Sequence, residues 1–150
     1  QLSEILIKDI KAVDTLIIRR NNLWFLITSL CSSGIDDNCS ELHIFYSEKL
    51  KNGKWLPLEI DNPVLFNSEG SRNGGFFKKG SQFYRVSQNH EPNNYGSSFN
   101  INKIKIINKK EYIEEFVQRV KSRFKSNLIG THHFNSNGEF NVVDFKRLID

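Results

Sequence analysis

The chain has 150 residues, of which 38% are hydrophobic and 25% are charged. This length suits one domain with a substantial core, and this composition excludes intrinsic disorder. No run of about 18 apolar residues occurs, which excludes a transmembrane helix. The 21 basic residues exceed the 17 acidic ones by four, but the two signs are interspersed. That pattern is typical of a solvated surface and argues against a nucleic-acid partner.

The ends and the cysteines of the sequence constrain localisation only weakly. The chain contains no Met and does not begin with a secretory signal, so we expect a fragment or a processed product. The cytoplasm is favoured and the secretory lumen stays open. Cys31 and Cys39 flank a short polar segment and would form a disulfide in an oxidising compartment, but two cysteines do not identify the compartment.

The pattern of apolar residues predicts an antiparallel all-β protein. Aromatic and β-branched residues alternate with polar ones in short runs, and Asn, Gly, Ser and Lys separate the runs. The first four predicted strands cover residues 15–20, 23–30, 42–47 and 55–59, with a tight turn at Asn21-Asn22. A second four cover residues 75–78, 82–88, 98–107 and 112–120, with a turn at Lys79-Gly80. A third pair, residues 128–134 and 139–145, is joined by a turn at 135–138.

Residues 112–124 fit two patterns. One set of residues has helical spacing: Tyr112, Phe116, Val117, Val120 and Phe124. An overlapping set fits the alternation of a strand: Tyr112, Glu114, Phe116, Gln118 and Val120. Periodicity alone does not separate the two, and we predict a strand.

The order of these elements predicts a β-propeller-like fold. Units of four strands recur about every 50 residues, as propeller blades do, because each blade buries its faces only against its neighbours. We therefore predict about two and a half four-stranded antiparallel blades. Residues 1–11 would be the outer strand of a preceding blade, 12–62 and 63–122 would be two blades, and 123–150 would be a half blade.

Three stretches carry a family resemblance. The first is Val13-Asp14-Thr15 followed by Leu23-Trp24-Phe25-Leu26, similar to an Asp-Pro-Thr blade opening without its proline. The second is Ser71-Arg72-Asn73-Gly74-Gly75 with Gln82-Phe83-Tyr84-Arg85 and Tyr95-Gly96. The third is Gly130-Thr131-His132-His133 with Val142-Val143-Asp144. In order and spacing they resemble the later half of the five-bladed propeller domain at the N-terminus of plant glucosaminyl inositolphosphorylceramide transferases and related bacterial proteins.

The resemblance implies an axial site and outside partners. The family's architecture is similar to that of glycoside hydrolase families 43 and 32, in which carboxylates on inner strands converge on the axis. It implies that Asp14 is a candidate catalytic carboxylate, and that Asp14, Arg72, Gln88, Tyr95 and His132 bind a carbohydrate ligand. The missing blades or a fused transferase domain are the expected partners, and a chain that is complete as it stands would need self-association to close the ring.

Each of these residues also has a structural interpretation. Asp14 suits a strand start at which it bonds backbone N–H groups, and Arg72 suits a tie between two blades. His132 suits a buried, hydrogen-bonded histidine, and Asp144 suits either the axis or a cap on the last hairpin. Glu91 is expected to be exposed. The aromatic residues that alternate along the strands are interpreted as core: Trp24, Phe25, Phe45, Phe76, Phe77, Phe83 and Tyr84.

The favoured function is a carbohydrate-recognising propeller portion of a larger protein of glycan or glycolipid biosynthesis. Binding is favoured over cleavage because glycoside hydrolysis needs two carboxylates and the matched positions supply Asp14 alone. One alternative is a glycosidase-like hydrolase or glycosyltransferase whose site the missing blades complete. Another is a structural module that docks a partner domain through the basic residues 103–110. No cofactor or metal is expected, because zinc-ligand spacing, P-loop and dinucleotide motifs are absent.

Overall fold

The computed structural model describes residues 4–34, 38–91 and 94–148. These ranges contain thirteen β-strands, one 3₁₀ turn at Ser122–Phe124 and no α-helix. The all-β prediction is therefore confirmed. Residues 4–12 contain no strand, so the outer strand predicted at 1–11 is not formed over its described part.

The first sheet is an antiparallel meander with two short additions. Its strands are β1 (Val13–Arg20), β2 (Leu23–Leu30), β3 (Glu41–Ser47), β4 (Leu56–Pro57) and β5 (Leu65–Phe66). Strands β4 and β5 pair with opposite ends of β3, so the sheet extends to Phe66 rather than ending at residue 62. Asn21 and Asn22 have φ values of 50° and 62°, the left-handed pair that a two-residue hairpin turn requires.

The second sheet is a longer antiparallel meander. Its strands are β6 (Asn73–Lys79), β7 (Gln82–Glu91), β8 (Asn94–Asn108) and β9 (Glu111–Lys121). Strand β9 pairs with β8 from Lys121 to Glu111, which confirms a strand in the segment with two possible patterns. The last three residues of that segment form the 3₁₀ turn instead.

The prediction of one strand over residues 128–134 is wrong. The segment divides into β10 (Leu128–Gly130) and β11 (Phe134–Ser136), which pair with β13 (Lys146–Arg147) and β12 (Asn141–Val143), respectively. The strand is interrupted because the backbone N–H groups of His132 and His133 donate to the Asp144 carboxylate, at 2.9 and 2.7 Å, and not to a neighbouring strand.

Only β10 and β13 of this region form a separate sheet, which has two strands. Strand β11 joins β6 through a parallel bridge between Ser136 and Phe77, so the β11–β12 hairpin extends the second sheet. Its turn lies slightly later than predicted, because the Asn137 side chain accepts the N–H groups of Glu139 and Phe140.

The main core lies between the two sheets. Its fully buried members include Phe25, Ile27 and Ile44 of the first sheet and Ile104 of β8. Burying each such side chain contributes about 1.5–3 kcal/mol. The other aromatic residues predicted as core are partly buried: Trp24, Phe45, Phe76, Phe77, Phe83 and Tyr84.

Glu41 anchors the start of the loop between β2 and β3. Its carboxylate is 2% exposed and accepts the N–H groups of Ser32 and Ser33, the Ser32 hydroxyl and the His43 ring. Burial acts to raise the pKa of Glu41, but these hydrogen bonds outweigh it and lower the pKa well below its ordinary 4.5.

Because of this lowered pKa, we expect the folded protein to lose stability as the pH falls into the acidic range. The pKa of Glu41 is lower in the folded protein than in the unfolded chain, where it is about 4.3. The ionised carboxylate therefore stabilises the fold at pH values above about 4.3. This stabilisation is lost as the pH falls towards the folded-state pKa. We expect Glu41→Gln to cost about 2 kcal/mol at pH 7 and to flatten the loss of stability below about pH 4.3. Urea unfolding between pH 7 and pH 3 measures both. The exposed Glu139→Gln is the control, and equal pH slopes for Glu41→Gln and the unsubstituted protein would contradict the assignment.

Candidate functional site

The site begins at a bulge in β1. Val13 pairs with Ser29 and Leu16 with Ile27, so β1 has one residue more than β2 over this stretch. Asp14 lies in the bulge with a φ of 51°, a left-handed conformation that costs an L-residue about 1–2 kcal/mol and that Asp tolerates better than most. Bulges change the direction of side chains, and this one directs the Asp14 carboxylate away from its own sheet and towards the second sheet.

The Asp14 carboxylate accepts hydrogen bonds from Gln88 of β7 and from Arg72, the residue that precedes β6. Arg72 Nε donates to Asp14 Oδ2 at 2.6 Å, and Gln88 Nε2 donates to the same oxygen at 3.1 Å. Burial acts to lower the pKa of Arg72, but the hydrogen bond to Asp14 raises it. The side chains of Asp14 and Arg72 are 37% and 19% exposed, so a ligand can reach the ion pair from solvent.

Gln88 connects this ion pair to an aromatic surface. Its side chain is buried, and its Oε1 accepts the Tyr95 hydroxyl at 3.2 Å. The Arg72 guanidinium lies 5.5 Å from the centroid of the Tyr95 ring, within range of a cation–π interaction. Tyr95 is 50% exposed, so part of its side chain is open to solvent beside the ion pair.

Two histidines lie against the same tyrosine. The ring of His90 stacks on Tyr95 with centroids 4.5 Å apart, and His132 meets Tyr95 edge-on at 5.3 Å. Burial, and then the nearby charges of Arg72 and His132, lower the pKa of His90. His90 is therefore neutral at pH 7, and its Nδ1 accepts the Gly96 N–H at 3.0 Å.

Asp144 orients His132. The carboxylate Oδ2 lies 2.5 Å from His132 Nδ1, and its Oδ1 accepts the backbone N–H of the same residue. These contacts fix the orientation of the imidazole ring and leave Nε2 as the ring nitrogen that does not contact Asp144. Gly96 makes room for this ring, because a Cβ at position 96 would lie 2.9 Å from His132 Cγ.

The five predicted site residues thus lie in one connected cluster: Asp14, Arg72, Gln88, Tyr95 and His132. Their role in binding a ligand stays a prediction. Asp14 bonds side chains of the second sheet rather than local N–H groups, Arg72 links the two sheets, and His132 is only partly buried.

Sequence reasoning missed two supporting residues and left a third open. The two missed residues are Asn73, which donates to the backbone of Asp14, and His90, which stacks on the Tyr95 ring. The third is Asp144, which the sequence predicts as either an axial residue or a hairpin cap. It contacts His132. The signal for His90 was available, since alternation along β7 places it on the face of Gln88. No comparable local signal exists for Asn73.

The neighbourhood of the cluster adds few other reactive groups. Cys39 Sγ lies 3.7 Å from Arg72 Nη1, and no disulfide joins Cys39 to Cys31. Glu91 is exposed, as predicted. Within residues 4–34, 38–91 and 94–148, no three His, Cys, Asp or Glu side chains are placed to hold a metal ion. The same ranges contain no helix of the length and apolarity that a bilayer crossing requires.

Comparison with known proteins identifies the family. The family described as "Glucosamine inositolphosphorylceramide transferase 1, N-terminal" matches residues 1–148. The Glucosamine inositolphosphorylceramide transferase 1 of Arabidopsis thaliana is 33% identical over an alignment 150 positions long, which covers 91% of this chain. The chain spans only 19% of that relative's length, and no solved structure matches it. The chain belongs to the N-terminal family of glucosamine inositolphosphorylceramide transferase 1.

Proposed function

We propose that this chain is the carbohydrate-recognising portion of a larger protein of glycan or glycolipid biosynthesis. The observation that carries the proposal is the cluster itself. An accessible carboxylate–guanidinium pair adjoins a half-exposed tyrosine ring, and its members come from three distant stretches of sequence. Sugar hydroxyls both donate and accept hydrogen bonds, so Asp14 can accept from them and Arg72 can donate to them. The Tyr95 ring offers a surface for the apolar face of a sugar ring.

The charges of the cluster favour an amino sugar over an anionic group. Asp14 is the more exposed member of its ion pair, 37% against 19% for Arg72, and a second carboxylate, that of Asp144, lies beside His132. The name of the Arabidopsis relative contains glucosamine and inositolphosphorylceramide. Of these two components, the cluster suits glucosamine better, because a phosphate would face the exposed Asp14 carboxylate.

We also propose that the two sheets are successive blades of a propeller. In support, β1 and β6 contact each other, and each is the first strand of its sheet and begins with a bulge. This arrangement would place Asp14 and Arg72 at equivalent positions near a common axis. We keep the proposed division into blades at 12–62 and 63–122 and a half blade at 123–150, except that β5 places residues 63–66 in the first blade and that β11 also pairs with β6 of the second.

An enzyme is the second candidate, and the contact between His132 and Asp144 is the observation that favours it. A histidine oriented by a carboxylate is a common acid–base arrangement, and missing blades would supply the remaining groups. Docking through residues 103–110 has less support, since Lys105 and Lys109 each lie beside a glutamate.

Binding of methyl glucosaminide tests the proposal. We expect isothermal titration to show binding to the protein, and Asp14→Asn to weaken it about tenfold or more, because a hydrogen bond to a charged group contributes about 1.5–3 kcal/mol. Tyr95→Ala should weaken it similarly, whereas Tyr95→Phe keeps the ring and should have a smaller effect.

Asp9→Asn is the matched control, because Asp9 is also an exposed, left-handed aspartate with a φ of 59°. Methyl glucosaminide that binds Asp14→Asn and Asp9→Asn equally well would contradict the site. Turnover by the full-length protein that collapses with His132→Ala would favour the enzyme instead, and myo-inositol phosphate binding more tightly than the amino sugar would overturn the ligand class.

A further inference from the structure

Asn73 is buried beside the cluster, and both ends of its amide are used. It is 1% exposed. Its Nδ2 donates to the carbonyl oxygens of Asp14, at 2.9 Å, and of Ile27, at 3.0 Å. Its Oδ1 accepts Arg85 Nη1 at 3.2 Å. Asn73 therefore connects the second sheet to the backbone of the first sheet at the bulge.

The two carbonyl groups that Asn73 binds belong to the two strands that are paired at the bulge, β1 and β2. Asp14 belongs to the bulged stretch of β1, and Ile27 is the residue of β2 at which regular pairing resumes opposite Leu16. A bulge leaves its extra residue without a ladder partner, and a buried carbonyl without a donor is unfavourable. Asn73 supplies that donor, so it holds the peptide that follows Asp14 and with it the direction of the Asp14 carboxylate.

Arg85 determines which way the Asn73 amide faces. Arg85 is completely buried and is held by Glu114 and by the Gly70 carbonyl. A guanidinium only donates hydrogen bonds, so the Asn73 oxygen must face Arg85 and its NH₂ group must face Asp14. The buried ion pair of Arg85 and Glu114 thus fixes the Asn73 amide, and the amide in turn holds the backbone of Asp14.

We propose that Asn73, oriented by Arg85, is the positioning residue of the site: it holds Asp14 left-handed so that its carboxylate meets Arg72 and Gln88. The consequence for sugar binding rests on the proposed function. The effect of Asn73 on the position of Asp14 does not depend on the proposed function, and it can be measured in the protein without ligand.

The Arg72 Nε–H group reports the position of Asp14, since Nε is 2.6 Å from Asp14 Oδ2 and Asn73 is bonded to the Asp14 backbone. We expect nuclear magnetic resonance to show an exchange-protected Arg72 Nε–H in the unsubstituted protein. Asn73→Ala should accelerate its exchange tenfold or more and weaken methyl glucosaminide binding by a similar factor.

Asn100→Ala is the matched control. Asn100 is also buried, donates to a backbone carbonyl, that of Glu69 at 3.0 Å, and accepts an arginine, Arg119 Nε at 2.9 Å. It loses the same kinds of hydrogen bond without touching Asp14, so Arg72 exchange should not change. Asn73→Asp covers the case in which Asn73→Ala does not fold, because it keeps an acceptor for Arg85 but cannot donate to Asp14.

Unchanged Arg72 exchange in the folded Asn73 variants would overturn the proposal, as would equal acceleration in Asn100→Ala. Faster Arg72 exchange in the Asn73 variants alone would support it, even if methyl glucosaminide does not bind the unsubstituted protein. A failure of methyl glucosaminide to bind would count against the proposed function, but it would not affect the inference that Asn73 positions Asp14.

Discussion

Arg85→Met is expected to destabilise the fold by about 3–5 kcal/mol, the usual effect of removing one partner of a buried ion pair. Arg85 is completely buried, and its Nε and Nη2 donate to the two oxygens of Glu114 at 2.8 and 2.5 Å. Methionine fills much of the same volume but leaves Glu114, Asn73 and the Gly70 carbonyl without these donors. Burial acts to lower the pKa of Arg85, but the charge of Glu114 raises it above its ordinary value, so the guanidinium stays charged.

Denaturant unfolding at pH 7 measures this effect. Arg119→Met is the control. It loses a solvent-accessible ion pair with Glu69, 3.3 Å long, and one hydrogen bond to Asn100, so we expect it to cost about 1–2 kcal/mol. Combining Arg85→Met with Glu114→Leu should recover part of the loss, because an apolar pair leaves no buried charge. A cost for Arg85→Met no larger than that for Arg119→Met would show that the buried network is not important for stability.

Gly75→Ala is expected to displace the β11–β12 hairpin from β6 and to cost about 3 kcal/mol, in the upper range for single substitutions. Gly75 has a φ of 128°, and a Cβ at this position would lie 2.1 Å from the Phe134 carbonyl oxygen. That neighbour is backbone, so it can give way only if β11 moves. Residues 131–133 lead directly into β11, and His132 should therefore leave its contact with Tyr95.

Two measurements separate this steric effect from backbone strain. Gly80→Ala is the control, because Gly80 also has a positive φ, 61°, but a Cβ there would meet nothing within 4 Å, so only about 1 kcal/mol of strain is expected. In the folded protein, the edge-to-face contact between Phe77 and Phe134, 5.4 Å between centroids, should be lost in Gly75→Ala and kept in Gly80→Ala. Equal stability of the two variants with that contact intact would contradict the predicted clash.

The site, if it binds sugars, depends on the packing of two sheets rather than on one loop. Asp14 belongs to the first sheet, whereas Arg72, Gln88 and Tyr95 belong to or border the second. Any change in how the sheets pack would therefore separate the carboxylate from its partners. Substitutions in the core between the sheets are for this reason expected to affect binding as well as stability.

Local sequence determined most of the strands of this protein and one of its turns. Alternation of apolar and polar residues depends only on neighbouring side chains, and the Asn21-Asn22 pair favours left-handed backbone, so both can be recognised without knowledge of the fold. Residues 112–121 were ambiguous because two periods fit them. The strand forms there because β8 offers an edge for pairing, and Phe116 and Val117 remain exposed instead of forming one buried helical face.

Long-range contacts decided the rest. The sequence, through its family resemblance, pointed to Asp14, Arg72, Gln88, Tyr95 and His132, but only the packed sheets bring Arg72 and Gln88 onto one carboxylate oxygen. The same holds for Asp144, which interrupts the strand predicted at 128–134, and for Asn73, which holds a backbone 59 residues away. These hydrogen bonds join residues that are far apart in the chain, and no local pattern of residues encodes the distance between them.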